Sequence, residues 1–334
     1  MKISVVVPVW NGRLLLERLL TTLDSQTERP LEVIAVDNGS TDGAAELARE
    51  RGARVISMGS NTGFAAAMNC GIGESRGEWI AALNSDVELA PDYLQLLLNA
   101  AEARSSWFAA GKLISAAESQ PDRIDGSFDC ICRGATAWRV GSGRQDGPEF
   151  SQPGAISCAP WTAALFRAEL FQKVGALDEC FGSYLEDVDF GIRCALSGYR
   201  GWYEPAAVAR HHGSAALGRW SAAAIRLVSR NQVFLVAKHY PAQLIRRRWW
   251  NITVAQALWL VVALRHGAGM ASLRGKLEGI RKCSEIRKRN AEWAIENIDD
   301  FLTESESNIL DIQKRTGFDL FWRLYFLLTR GEAK

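Results

Sequence analysis

Short apolar runs and amphipathic stretches alternate through the first hundred residues. β-rich runs lie at 3–9, 31–36, 54–58 and 78–83. Between them, 14–23 and 44–50 carry apolar residues at helical spacing, and 65–72 predicts a third, shorter helix. Strand-like runs linked through helices predict βαβ units and a mostly parallel sheet buried on both faces, an α/β fold. In an open sheet of that kind, ligands sit beyond the carboxyl ends of the strands. Asp37 and Asp86 fall at two such ends.

The pattern then loosens. From about 116 to 155 the chain is rich in Gly, Ser and Asp, and predicts loops or small hairpins. Order returns at 163–174 as a strand then a helix, followed by a turn at 175–178 and a helix over 187–197 closed by Gly198. Trp202-Tyr203 and Val208 predict one more strand. Beyond 218 the spacing is that of long helices. Residues 249–264 are apolar, flanked by Arg246-Arg247-Arg248 and by Arg265-His266. These sixteen residues fall short of the roughly 20 that span a bilayer. Their basic, Trp-bearing flank suits a helix lying in a membrane interface, the alternative being a core or subunit-packing helix. The stretch 318–328 is a second aromatic, amphipathic candidate.

Composition narrows the class. The chain has 334 residues, 48% hydrophobic and 23% charged, enough for a large domain with an appendage and not a disordered composition. A net charge of +1 argues against a nucleic-acid partner. The charge is uneven: 265–289 hold eight Lys/Arg and two Glu, whereas 291–311 hold seven acids and no Lys/Arg. Seven scattered cysteines without a CxxC pair argue against a zinc site or disulfide framework and fit a reducing cytosol. The opening Ile3-Ser4-Val5-Val6-Val7-Pro8 is too short for a signal peptide and reads as a buried first strand.

Five short blocks carry candidate chemistry, most with a plain structural alternative. Asp37, in Val36-Asp37-Asn38-Gly39-Ser40, suits a nucleobase or ribose, or else an Asx-turn or helix cap. Asn61-Thr62-Gly63-Phe64 brings backbone close to a ligand through Gly63, or is a turn. Asn84-Ser85-Asp86 offers a carboxylate to a hard divalent cation on a diphosphate. Glu186-Asp187-Val188-Asp189 sets three acids at a helix start, where the macrodipole alone favours them, and Asp189 with Arg193 forms an i,i+4 pair. Glu186-Asp187 follow Phe181 and Tyr184, a setting that raises a carboxylate toward a general base's range. His211-His212 are two of only four histidines; such a pair is more often structural than ligating, but opposite a metal-bound diphosphate one imidazole would complete the coordination shell.

In this order the blocks resemble the inverting family 2 of nucleotide-sugar glycosyltransferases with a GT-A fold, in its rhamnosyltransferase-like branch. The likeness runs from Val5-Val6-Val7-Pro8-Val9-Trp10-Asn11, through the Asp37 block, Asn61–Phe64, Asn69-Cys70-Gly71-Ile72 and Leu83–Asp86, to Gly182–Phe190 and 205–214. It covers roughly residues 1–240. It implies a catalytic domain over 1–217, with 1–115 binding the nucleotide sugar and 116–217 supplying the acceptor side and the base. A helical C-terminal region over 218–334 would serve membrane contact or dimerisation. The implied donor site comprises Pro8, Asn11, Asp37, Asn61, Gly63, Asn69, Asn84, Ser85 and Asp86. Asp86 and His211 are the implied ligands of Mg²⁺ or Mn²⁺, and Asp187 is the implied base with Glu186 as its fallback. Asn84 departs from the family's DxD, where an Asp would stand, and leaves the choice of metal open.

The resemblance implies transfer of a sugar, first rhamnose from dTDP-rhamnose, to a hydroxyl of a cell-envelope or lipid-linked glycan. The setting would be cytoplasmic, peripheral at the inner face of the cell membrane. One alternative is a UDP-hexose-dependent transferase of the same fold; another is a non-catalytic membrane-associated scaffold, motivated by Asn84 and the C-terminal extension. A sugar-1-phosphate nucleotidyltransferase would need a Gly-rich, basic loop after the first strand. Trp10-Asn11-Gly12-Arg13-Leu14 stands there instead.

Overall fold

The computed structural model describes residues 2–117, 122–213, 220–289 and 295–329. The chain divides into two compact units, one of Met1–Asp129 and Arg139–Ala216, the other of Cys130–Trp138 and Leu217–Lys334. The expected boundary at 217/218 lies outside the described residues.

The first unit opens as the apolar pattern predicts: β1 (Ile3–Val9), α1 (Arg13–Asp24), β2 (Glu32–Asp37), α2 (Ala44–Glu50), β3 (Arg54–Ser57), α3 (Phe64–Gly73) and β4 (Trp79–Leu83). Next come β5 (Val87–Leu89), α4 (Tyr93–Ala103) and β6 (Phe108–Ser115). The irregular stretch resolves into β7 (Ile124–Gly126), β8 (Asp129–Ile131), β9 (Ala137–Arg139) and β10 (Gly154–Ile156), with β8 and β9 paired to each other. β11 (Ala163–Arg167), α5 (Ala168–Val174), α6 (Glu186–Leu196) and β12 (Gly201–His211) follow.

The sheet runs β10-β12-β6-β11-β4-β1-β2-β3, with β5 on β12 and β7 on β6. β4, β1, β2 and β3 pair in parallel, as do β12 and β6, while β11 enters antiparallel between β4 and β6. Both faces are covered. Val5, Val7 and Leu83 pack toward α1 and α4 residues such as Leu16, Leu19 and Leu97, whereas Val6, Ile34 and Ile80 pack with Met68, Phe166 and Phe190. Successive strand residues thus enter opposite cores, which is why the runs read as continuously apolar. Gly71 is required on α3, since a Cβ there would lie 2.3 Å from Val6 Cγ1.

The second unit is helical: α7 (Ala222–His239), α8 (Ala242–Arg247), α9 (Trp249–Arg265), α10 (Gly269–Arg287), α11 (Ile295–Thr316) and α12 (Leu320–Thr329). Its strand-hairpin segment is tied to α11 by Ile131 N–H donating to Ser305 Oγ at 2.8 Å and by the buried Arg133–Glu306 pair. Arg247 and Arg248 both pair with Asp299. Part of the acidic run therefore neutralises the arginines ahead of α9. Among the described residues no helix is long and apolar enough to cross a membrane.

Candidate active site

The two metal-candidate residues meet through strand register. Asn84-Ser85-Asp86 follows β4, and the chain then turns into β5, which pairs antiparallel with β12 so that Val87 faces His211. His212 N–H donates to Asp86 O at 2.9 Å and closes the junction. Alternation along the strand sends the two imidazoles to opposite sides. His211 is buried with Nε2 3.2 Å from Asp86 Oδ1, whereas His212 lies 2.7 Å from Glu88 Oε1. His211, not its neighbour, faces the carboxylate.

A third residue holds that imidazole. β7 pairs with β6 through Leu113–Gly126 and then Ile114–Ile124, leaving Asp125 as the extra residue of a bulge. Bulges re-aim side chains next to functional sites. Asp125 Oδ2 lies 2.8 Å from His211 Nδ1. Burial alone would lower the imidazole's pKa; the two flanking carboxylates overcome it and raise it to about 9.

His211 Nε2 is buried without a well-formed hydrogen bond, 3.2 Å from Asp86 Oδ1, and a cation seated there would replace the proton that the two carboxylates otherwise favour on the ring. Carboxylate on Nδ1 with Nε2 directed at a second oxygen ligand is the arrangement of a metal-binding histidine. Among the described residues no set of three or more His, Cys, Asp or Glu side chains forms a cage. Two protein ligands with diphosphate oxygens completing the shell is the usual situation for Mg²⁺. The residues fit.

The candidate base sits at the start of α6. Tyr184 and Leu185 have φ of 70° and 66°, left-handed values that cost a non-glycine residue energy and recur at functional sites. That turn delivers Glu186 and Asp187 to the sheet. α6 is pinned from behind: Gly191 leaves room for Cys158, and buried Asp189 binds Arg193, which donates to Val174 O and Ala176 O. The i,i+4 reading of Asp189 holds.

Glu186 is buried with Oε2 unsatisfied, and burial followed by repulsion from Asp187 pushes its pKa well up. Burial, then Asp129, push Asp187 up to about 6, against the opposing pull of Arg139. Arg139 donates to Asp129 through both Nε and Nη2, at 3.1 and 3.0 Å, and to Asp187 Oδ2 at 3.0 Å. It also reaches Thr162 Oγ1 at 3.2 Å, and Thr162 O accepts from Asn84 N–H at 2.8 Å. The base block and the metal block are thereby linked.

Around β1 and β2 the donor candidates form a hydrogen-bonded rim. Pro8 is the penultimate residue of β1, and Asn11 lies just beyond with φ 58°. Asn11 N–H donates to Ser40 Oγ, and its Oδ1 accepts from Thr41 N–H, both at 2.9 Å. Asp37 Oδ1 accepts from Ser40 N–H at 2.9 Å, the Asx-turn weighed as its alternative. Asn38 staples the neighbouring loop, donating to Asn61 Oδ1 and Gly63 O and accepting from Thr62. Gly63 has φ 92° and would put a Cβ 3.3 Å from Gly182, while Ala65 N–H donates to Gly182 O. The Gly63 loop therefore abuts the turn that carries Glu186. Asn69 differs: its amide donates to Leu177 O and Glu179 Oε1 and accepts from Leu177 N–H. It is occupied as a clamp between α3 and the turn that follows α5.

Asp125, Asp129 and Arg139 went unseen in the sequence. All three lie in the Gly- and Asp-rich stretch, where no periodicity marks an element. A signal existed only in the isolated charges themselves.

The mostly parallel sheet with helices on both faces is the GT-A fold, and the paired carboxylate and histidine lie at its strand ends. The chain belongs to glycosyl transferase family 2, whose family model matches residues 4–175. It is 30% identical over 285 residues to the N-acetylglucosaminyl-diphospho-decaprenol L-rhamnosyltransferase of Mycobacterium tuberculosis, covering 78% of this chain and 90% of that one. A pre-mycofactocin glycosyltransferase of the same organism is 28% identical over 228 residues, 66% of this chain and 44% of that one.

Among solved structures, GalNAc-T7 with UDP, GalNAc and Mn²⁺ superposes with a TM-score of 0.63 at 13% identity, over 95% of this chain and 58% of that one. The mannosyltransferase PcManGT of Pyrobaculum calidifontis with GDP-Man and Mn²⁺ gives 0.52 at 17%, over 100% and 88%. The protein is a glycosyltransferase, and the scaffold alternative is set aside.

Proposed function

We propose that this glycosyltransferase moves rhamnose from dTDP-rhamnose to a hydroxyl of a lipid-linked or cell-envelope glycan, with inversion at the anomeric carbon. The observation that carries the donor and acceptor class is the likeness to the mycobacterial rhamnosyltransferase, which extends over 90% of that enzyme. We place the reaction at the cytoplasmic face of the membrane, with homodimerisation through the helical unit as a further proposal.

Asp86 and His211 would hold a Mg²⁺ or Mn²⁺ ion, and the ion when bound would neutralise charge on the departing diphosphate. Asp37, Asn11 and Pro8 would flank the base and ribose, with Asn61, Gly63, Asn84 and Ser85 lining the path toward the diphosphate. Asp187 would take the acceptor hydroxyl's proton as that oxygen attacks in a single displacement. A pKa of about 6 suits a general base, because the group is ionised at neutral pH and still basic enough to accept a proton. Glu186, which burial and repulsion from Asp187 raise well above the usual carboxylate range, would be the fallback base beside it.

The test is a panel of dTDP-rhamnose and UDP-hexoses, with and without Mg²⁺ or Mn²⁺, scored by thermal stabilisation and slow donor hydrolysis. The expected result is metal-dependent stabilisation by dTDP-rhamnose, lost in Asp86→Ala. Stabilisation by a UDP-hexose alone would replace the donor. A response to dTDP-rhamnose that is indifferent to metal and to Asp86 would remove the metal assignment.

A further inference from the structure

α10 wears its apolar residues on the wrong side for a helix in water. Toward α7 it presents Ser272, Gly275 and Gly279: the Ser272 hydroxyl meets Ser229 Oγ at 2.9 Å, and a Cβ on Gly275 would lie 2.2 Å from Arg226 O. The two helices are thus in close backbone approach along a seam of small residues. Its large residues face outward. Met270, Leu273, Leu277 and Ile280 are 65%, 42%, 54% and 61% exposed. Their spacing of three, four and three residues keeps them within one helical stripe. Leu264, 60% exposed at the end of α9, lies against Gly269 and extends the ridge. A soluble helix buries its Leu and Ile and shows its small residues; over 270–280 this one does the reverse, although Ile286 near its end is buried, and an apolar ridge of that kind marks an interaction surface.

Charge selects the partner. Arg274 and Arg281, both exposed, follow Leu273 and Ile280 in the chain and rim the ridge. The segment 265–289 holds eight Lys/Arg against two Glu. A second copy docked on this face about a two-fold axis would set one basic rim against another. An anionic lipid surface accepts both features: acyl chains take the ridge, and phosphates take guanidinium groups that reach outward from it. Residues 270–280 rise only about 16 Å, which suits a helix lying in the interface and not one crossing it.

We propose that the α10 ridge is the surface by which this protein docks on an anionic membrane. This deepens the membrane placement above and is independent of the donor assignment. The apolar stripe 249–264, singled out in the sequence, contributes through its end at Leu264; the principal contact moves to α10.

The experiment is vesicle flotation of the full chain, on phosphatidylcholine alone and on equal parts phosphatidylcholine and phosphatidylglycerol. Three double variants accompany the wild type: Leu273→Ser with Leu277→Ser, Arg274→Gln with Arg281→Gln, and, at exposed α12 positions, Leu327→Ser with Leu328→Ser. The wild type is expected to float with the anionic vesicles only. The leucine pair on α10 should weaken binding at least tenfold, and the arginine pair should flatten its salt dependence. The α12 pair should bind as wild type, with unchanged melting temperatures throughout.

Loss of binding in the α12 pair but not the α10 pair would overturn the ridge while leaving the membrane placement standing. Failure of the wild type to float on either vesicle would overturn both. A wild-type dimer by light scattering that the α10 leucine pair dissociates would assign the ridge to a second copy instead. None of these outcomes touches the nucleotide-sugar panel, so each reading fails separately.

Discussion

At the scale of residues, the site is governed by which charge sits beside which acid. Burial first and Asp129 next raise the pKa of Asp187, while Arg139, which bridges the two carboxylates, lowers it. The base is competent only when ionised, so the rate should climb with pH through about 6 and then level. Replacing Arg139 with Gln removes the opposing pull and leaves Asp129 unpaired beside the base. The ascending limb of the pH–rate profile should then move to higher pH, with activity largely recovered in alkaline buffer, and Arg139→Lys should restore part of the shift. A purely structural role would lower the rate equally at all pH values. Asp187→Asn, by contrast, should cost about 10²–10⁴-fold across the whole profile, the usual worth of a general base.

Asp125 acts one bond further out, by fixing the ring and leaving Nε2 directed at Asp86. Asp125→Asn should weaken Mn²⁺ binding about 10–100-fold, as second-sphere changes do. Titration of free Mn²⁺ by electron paramagnetic resonance in the presence of nucleotide reads this without reference to turnover. An unchanged affinity would reduce Asp125 to a packing residue.

At the scale of elements, the parts that a local pattern encodes are the parts the sequence yields. β1 is expected and found at 3–9, α2 at 44–50, and α6 begins one residue before its expected start. Asp37 and His211 are legible because each ends a strand, and Asp86 because it closely follows one; strand ends are visible as the point where an apolar run stops. Asp125 and Arg139 are not. Their partners stand 86 and 48 residues away, and a bulge and a short strand in a stretch without periodicity bring them in. Register across a sheet is a non-local quantity, and no window of sequence contains it.

The α7–α10 seam is a second such case, since Gly275 and Gly279 read locally as helix-weakening. Close approach explains them. Gly275→Val would drive a side chain into the Arg226 carbonyl, and overpacking of this kind costs about 1–3 kcal/mol. Urea unfolding followed by tryptophan fluorescence should show the loss. Gly267→Ala offers a poor comparison because φ is 69° there, whereas Gly73→Ala, with open space around it, should leave stability nearly unchanged.

For the whole molecule, the decisive point is that chemistry and surface character are divided between two compact units. Every residue assigned to donor, metal or base belongs to the first, and the outward apolar ridge with its basic rim belongs to the second. Each unit has its own buried residues: the first packs two layers about the sheet, and the second buries residues such as Ile225, Ala263, Ile298 and Tyr325 within its helices. Ligand binding should therefore stabilise them unequally. A donor and metal that bind only the folded first unit, at 100 times their dissociation constant, should add about 2.7 kcal/mol to that unit's unfolding free energy. In calorimetry the expected result is a transition that moves up with dTDP-rhamnose and Mn²⁺, and a second that stays where it was. Anionic vesicles should do the converse, acting on the transition that the nucleotide sugar leaves alone. If both transitions instead move together with the nucleotide sugar, the two units unfold as one cooperative body, and binding at the strand ends is felt by the helices that carry the ridge.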